Sequence, residues 1–349
     1  MQTRLALVVT LTLVAAPLAA QDPYDRDPRL VIKEQVRDVV RGRVVVRGSA
    51  RAYQGRDRGP EQTERFTRKV KLGRDGRFTI ENIAGNITVT GGSGDEVSIE
   101  AVKRTRGDAS QLATVHILVE ERPGRVEVRT DHTARNDRVA VDYTVSVPAS
   151  AGVDAKSISG NVKVSSVQGV VRAETISGGI TTASTPKLES AKSVSGDIDL
   201  SDASPEADLK ASSVSGVLRA RGLKVRSLDL GTVSGDVVLS NVACSRLGVR
   251  SVSGSVEYSG ALTKSGRYDI NSHSGTVRLA LSTDVGFELS ANSFSGSIRS
   301  DLPVTLGPTS ARTDRRRPAI GHSTHAVFGD GSAALVVRTF SGDIVIMKR

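Results

Sequence analysis

The chain has 349 residues, a formal net charge of +10, one cysteine, no tryptophan and 3% aromatic residues. A single cysteine excludes an internal disulfide framework, and scarce aromatics argue against an outer-membrane barrel with its aromatic girdles. A chain of this length can bury its own core, and its composition makes that a core of Val, Ile, Leu and Ala.

Residues 1–20 read as a secretory signal: Arg4, an apolar run from Leu5 to Val14, then small residues ending at Ala19 and Ala20. The run is too short to cross a bilayer, and no later segment approaches about 18 apolar residues. Gln21 stands where a lipoprotein would carry cysteine. The expectation is a soluble exported protein in the periplasm, at the cell surface or outside the cell, with no transmembrane span in the mature chain.

Residues 21–60 mix Pro, Gly, Asp and Arg and read as a basic linker or arm. Ile32, Val36, Val39 and Val40 lie at helical spacing, but Val-rich runs favour strands, so periodicity does not decide there. Residues 29–77 hold 15 Lys or Arg against 6 Asp or Glu, so nearly all of the net charge sits in this stretch.

Residues 61–150 form an N-terminal segment predicted to be entirely β. Val115, Ile117 and Val119 alternate, Pro123-Gly124 marks a turn, and Val126 and Val128 alternate in return, which is a hairpin signal. Val139, Val141, Tyr143, Val145 and Val147 make a further strand before Pro148.

From 151 to 349 one phrase recurs nine times: Ser or Thr, a mostly apolar residue, then Ser-Gly. Its glycines are Gly160, Gly178, Gly196, Gly216, Gly235, Gly254, Gly275, Gly296 and Gly342. The steps between them are 18 to 21 residues until the last, which is 46. Self-similarity at such a period marks a stacked repeat. Around Gly235, Leu228, Leu230, Thr232 and Ser234 share one strand face, and Val237 and Leu239 resume it beyond the glycine. Each unit is therefore a strand, a glycine bend and a second strand, and the units stack in parallel as an all-β solenoid with rungs about 4.8 Å apart. Phe78 to Val89 matches the Gly235 unit residue for residue, with Gly85 at the bend and Ala84 in place of the serine before it. The serine before each glycine is expected to form a hydroxyl ladder along the stack. The apolar residue ahead of it points outward if the strand runs straight and inward if the bend reverses the phase. The last step has room for two rungs and an insertion at about 301–334, which carries three prolines and a basic cluster.

The leader, the stretch GRDGRFTIENIAGNITVTGGSGDEVSIEAVKR, the strand DYTVSVPASAGVDAKSISGNVKV and the serial Ser-Gly rungs together resemble a family of bacterial secreted or envelope proteins of unknown function, usually labelled putative adhesins. The resemblance covers roughly residues 65–349 and implies a β-solenoid in an envelope setting. It brings no catalytic residues with it.

His322 and His325 form an H-x-x-H pair with Asp330 nearby, but zinc needs three or four ligands at fixed geometry. Asp197, Asp236 and Asp343 follow rung glycines, yet the same position elsewhere is Asn161, Gly179, Val217, Ser255, Thr276 or Ser297, which leaves a calcium ladder short of carboxylates. A nucleophilic serine needs one base and one orienting acid, not nine equivalent copies. His273 takes a slot filled elsewhere by Val or Phe and reads as a tolerated variant. No cofactor and no metal site is expected. Arg41, Arg43 and Arg47 in the arm, with Arg315, Arg316 and Arg317 in the insertion, are the polyanion-contact candidates. Their partners would be anionic envelope polysaccharide, lipopolysaccharide or lipid headgroups rather than nucleic acid. The reading that follows is a non-enzymatic envelope protein with a solenoid binding surface. The alternative is a polysaccharide lyase or hydrolase on a β-helix, which would require paired carboxylates.

Overall fold

A computed structural model describes residues 61–133, 138–204, 206–303, 305–306 and 322–349. The leader, the arm with Arg41, Arg43 and Arg47, and the cluster Arg315–Arg317 lie outside the described residues.

The described chain forms two long sheets, one of 13 strands and one of 14. A typical rung runs Lys224–Ser234 in the larger sheet, bends at Gly235, and returns as Val237–Ser240 in the smaller one. Leu228, Leu230, Val237 and Leu239 are all buried. Each lies over its counterpart in the next rung: Leu228 over Leu247, Leu230 over Val249, Val237 over Val256 and Leu239 over Tyr258. Period-two alternation thus feeds one continuous apolar core between the sheets, as expected for a solenoid whose units cannot bury their faces alone.

A second bend closes five of the rungs. Six residues beyond the bend glycine the backbone turns left-handed, at Ser166, Ser184, Asp202, Gly222 and Asn241. Short polar residues and glycine tolerate that conformation best. The sequence carried the signal as a recurring small or polar residue, masked by its changing identity.

The order of stacking departs from the order of the chain at both ends. The strand Arg77–Ala84 pairs in parallel with Gly152–Ser159 on one side and Arg125–His132 on the other. The unit around Gly85 is therefore a full rung of the same stack, and the later strands Arg125–His132 and Ala140–Pro148 lie outside it. Antiparallel strands close this end: Val115–Arg122 forms the predicted hairpin with Arg125–His132, while Glu96–Thr105 pairs with both Gln62–Lys71 and Ala140–Pro148. The segment is not wholly β. A 3-10 turn spans Ala109–Thr114, started by the Asp108 carboxylate, which accepts the Ser110 N–H at 3.0 Å.

At the other end the last rung in sequence is not the last in space. The strand Ala333–Ser341 inserts between Arg267–Ser274 and Phe287–Ser295, and Ile344–Lys348 inserts likewise between Val277–Leu281 and Ile298–Ser300. The strand His322–Phe328, within the expected insertion, pairs antiparallel to Phe287–Ser295 and covers its outer edge. Phe287–Ser295 is thus held between two segments that follow it in the chain. Capping strands of this kind keep a stacked sheet from presenting an open edge.

Candidate binding surface

The recurring phrase resolves into four rows. Its first residue is the buried one: Ser157, Thr175, Ser193, Ser213 and their counterparts line the inner edge of the core. In several rungs this hydroxyl donates to the glycine carbonyl of the preceding rung, as from Thr175 to Gly160 at 3.3 Å, Ser193 to Gly178 at 3.1 Å and Ser213 to Gly196 at 3.2 Å. The ladder expected of the serine before glycine belongs to this residue instead. That serine, Ser234 among the copies, is exposed. The reason is geometric: entering the bend, two successive side chains both turn outward, so alternation breaks one residue before the glycine.

The glycines stand at φ between 108° for Gly85 and 157° for Gly342. Among them, Gly235 donates its N–H to the Ser253 carbonyl at 3.0 Å. The residue after the glycine also serves the stack. Asp197 accepts the Val217 N–H at 2.9 Å, Asp236 accepts that of Ser255 at 2.8 Å, and Asp343 accepts that of Ser297 at 2.7 Å. Asn86 and Asn161 do the same for Asn161 and Gly179. These side chains bind backbone, so no cation is needed to explain them. The carboxyls of Asp197 and Asp343 are held below the usual carboxylate range, by the Arg219 and Val217 hydrogen bonds in the first case and by those from Ser297 in the second.

His322 and His325 lie three apart on one strand and so project to opposite faces, a poor arrangement for sharing an ion. Among the described residues no three His, Cys, Asp or Glu side chains form a metal-holding set. Much of the charge in the described part of the basic stretch is paired: Arg65 with Glu100 at 3.3 Å, Arg68 with Glu121 at 2.6 Å and Lys71 with Asp95 at 3.4 Å.

The second residue of the phrase makes the most distinctive surface. Ile158, Ile176, Val194 and Val214 stack in one outward row, each about half exposed. Val233, Val252, His273, Phe340 and Phe294 continue it, and half-buried Ile83 precedes it. At the far end the rings of His273, Phe340 and Phe294 stack at centroid distances of 4.9 and 4.7 Å, nearly parallel. The row points outward, and His273 is part of its ring stack. A groove of about 790 Å³ runs along its first half, between Ile83 and Val214 and the row of Glu81, Lys156, Glu174 and Lys192.

That neighbouring row is internally neutralised. Glu81 lies over Lys156, Lys156 over Glu174, and Glu174 over Lys192. Arg129 and Lys156 reach Glu81 at 3.4 and 3.6 Å, and Lys192 reaches Glu174 at 3.4 Å. Further along, Arg250 pairs with Asp229 at 3.1 Å and Arg338 with Asp269 at 3.6 Å. The apolar row is therefore bordered by cations that already have partners.

Two facing, mostly parallel sheets joined by glycine bends define a β-solenoid repeat protein. The chain belongs to the Toastrack DUF4097 family, whose profile matches residues 77–347. No curated protein matches it significantly. Among solved structures it is similar to a putative cell adhesion protein from Clostridium sporogenes, with 10% identity over 82% of this chain and 100% of the other at a TM-score of 0.21. It is also similar to a putative adhesin from Bacteroides fragilis, with 13% identity, coverage of 81% and 97%, and a TM-score of 0.41. A putative lipid binding protein from Parabacteroides distasonis gives 11%, 82%, 97% and 0.40 in the same order. At such TM-scores these likenesses say nothing of what this chain binds.

Proposed function

We propose that the protein is an exported, non-enzymatic component of the bacterial envelope whose solenoid serves as a rigid binding surface, with the apolar row as its contact edge. The observation that carries this reading is the row itself, an apolar strip repeated rung after rung with no covering element among the described residues. A contiguous exposed apolar strip of this kind marks an interaction site, and Leu118 and Val327 are the other large apolar side chains exposed among the described residues. The basic stretch 29–58, outside the described residues, would add long-range attraction to anionic polysaccharide, lipopolysaccharide or lipid headgroups.

Sugar cleavage is the poorer account. It asks for a carboxyl held protonated near neutrality beside a second one. Among the described residues the aspartates with resolved shifts all move the other way, downward, and many carboxylates are tied to Arg or Lys of adjacent rungs.

Retention of the mature protein on envelope fractions tests the reading. Ile176→Lys with Val233→Lys should lower retention at unchanged melting temperature. Equal retention removes the row as the contact edge, and polysaccharide turnover abolished by one Asp or Glu substitution turns the protein into an enzyme.

A further inference from the structure

Resting on the reading of the apolar row as a contact edge, we infer that its occupant is a second copy of the same row, packed antiparallel about a twofold axis at Val214.

The first reason is area. Half-exposed Val, Ile and Phe side chains along the row present roughly 600 Å² of apolar surface, the upper end of what a typical monomer leaves open. One partner in a standard interface contributes about 800 Å², so this row with its polar borders reaches what a stable dimer needs.

The second reason is the chemistry of the borders. A charged membrane would be met by free cations, but the five cations beside the row are already paired, at 3.1 to 3.6 Å. A sugar polymer would stack on ring faces, but the faces of Phe340 are covered by His273 and Phe294, leaving edges outward. What remains is an uncharged apolar strip with a neutral rim, which suits a like strip.

The third reason is register. Face-to-face packing about a twofold perpendicular to the row sets the charged border against itself with rung order reversed. The border reads Glu81, Lys156, Glu174, Lys192, Ser212, then Gly231, Arg250, Asn271, Arg338 in stacking order. An axis at the Ser212–Val214 rung places Glu81 opposite Arg338 and Glu174 opposite Arg250. Lys156 then faces Asn271, Lys192 faces Gly231, and no like charges meet. Shifting the axis by half a rung, toward Val233, would oppose Lys192 to Arg250 and Lys156 to Arg338. An axis a full rung on, at Val233, also opposes no like charges but leaves one opposite-charge pair, Glu174 with Arg338, where the Val214 axis makes two, so charge favours the Val214 register of the reversed dimer.

Sedimentation velocity of the full mature chain should show a dimer at micromolar concentration. Val214→Lys should raise the dissociation constant at least tenfold without moving the melting temperature. In a Cys244→Ala background, Val214→Cys should cross-link to itself with a short bismaleimide, and Phe294→Cys, five rungs from the axis, should not. A monomeric wild-type chain at tens of micromolar overturns the inference, while envelope retention that still depends on Ile176 and Val233 would leave the contact edge standing. Equal cross-linking at 214 and 294 also overturns it, because it demands a parallel pair. Loss of both self-association and retention dependence removes the two readings together.

Discussion

The carbonyl oxygen of Gly216 lies 2.0 Å from the point that a Cβ on Gly235 would occupy. The same clash repeats up the stack, Gly178 oxygen against Gly196 at 2.1 Å and Gly235 oxygen against Gly254 at 2.2 Å. Each bend glycine thus makes room for the one below, and the oxygen it accommodates is in several rungs the one that accepts the buried Ser or Thr hydroxyl.

Gly235→Ala should therefore destabilise by more than the ~1–2 kcal/mol that left-handed backbone alone costs a side chain, since a neighbouring backbone must also shift. Gly222 supplies the control: its φ is 63° but nothing lies within 4 Å of its would-be Cβ. Gly222→Asn, matching Asn241 at the same bend, should be close to neutral. Equal chemical denaturation midpoints for Gly235→Ala and wild type would falsify the close-approach account.

The Asx row makes a pH prediction. Asp197 and Asp343 have folded pKa values below their unfolded ones, near 3.9 for a free Asp. Their contribution is thus present above about pH 4 and is lost as pH falls through the lower folded values. Asparagine keeps an acceptor oxygen and already fills this role at Asn86 and Asn161. The pair Asp197→Asn and Asp343→Asn should melt a little below wild type at pH 7, because Asp197→Asn loses the charged pairing with Arg219, and should lose less on going from pH 5 to pH 3. Matching acid slopes in both proteins would remove this row as the source.

The strands, the hairpin at Pro123-Gly124 and the glycine bends were legible because period two and glycine are local signals, strong at Leu228–Leu239 and Val115–Val128. The direction of the apolar row was open because alternation fails at the bend, where Val233 and Ser234 both face out. Stacking order was not legible at all. The phrase at 339–342 pairs in the same register with both 272–275 and 293–296, because every rung offers the same one, so no local signal says that it lies between them. The ion pairs of Arg65 and Arg68 were hidden for a similar reason: their partners Glu100 and Glu121 come from strands whose pairing the sequence did not specify.

Cys244 should be chemically silent. It is buried, and burial pushes its thiol up to about 12, so almost no thiolate exists near neutrality. A thiol reagent at pH 8 should label it only at the rate of unfolding, and denaturant should raise that rate steeply. Stoichiometric labelling of the native protein within minutes would mean that the core around Cys244 opens locally.

The inserted rung separates this molecule from a simple repeat array. In such an array the last repeat is an end unit, and removing it costs one interface. Here residues 333–349 bury Leu335, Val337, Ile344 and Ile346 in the interior of the stack, with Phe340 between His273 and Phe294 outside. Each of those four core side chains contributes roughly 1.5–3 kcal/mol of burial, and losing them also detaches Phe287–Ser300 and its antiparallel cap from the body. A chain ending at Ser332 should therefore become protease-sensitive across 282–332 while rungs from 152 to 281 stay protected. Hydrogen exchange by peptide would read both effects at once. Protection of 287–300 at wild-type levels in the shortened chain would mean that this rung can restack directly on 267–281, and the insertion would then be one of two stable orders.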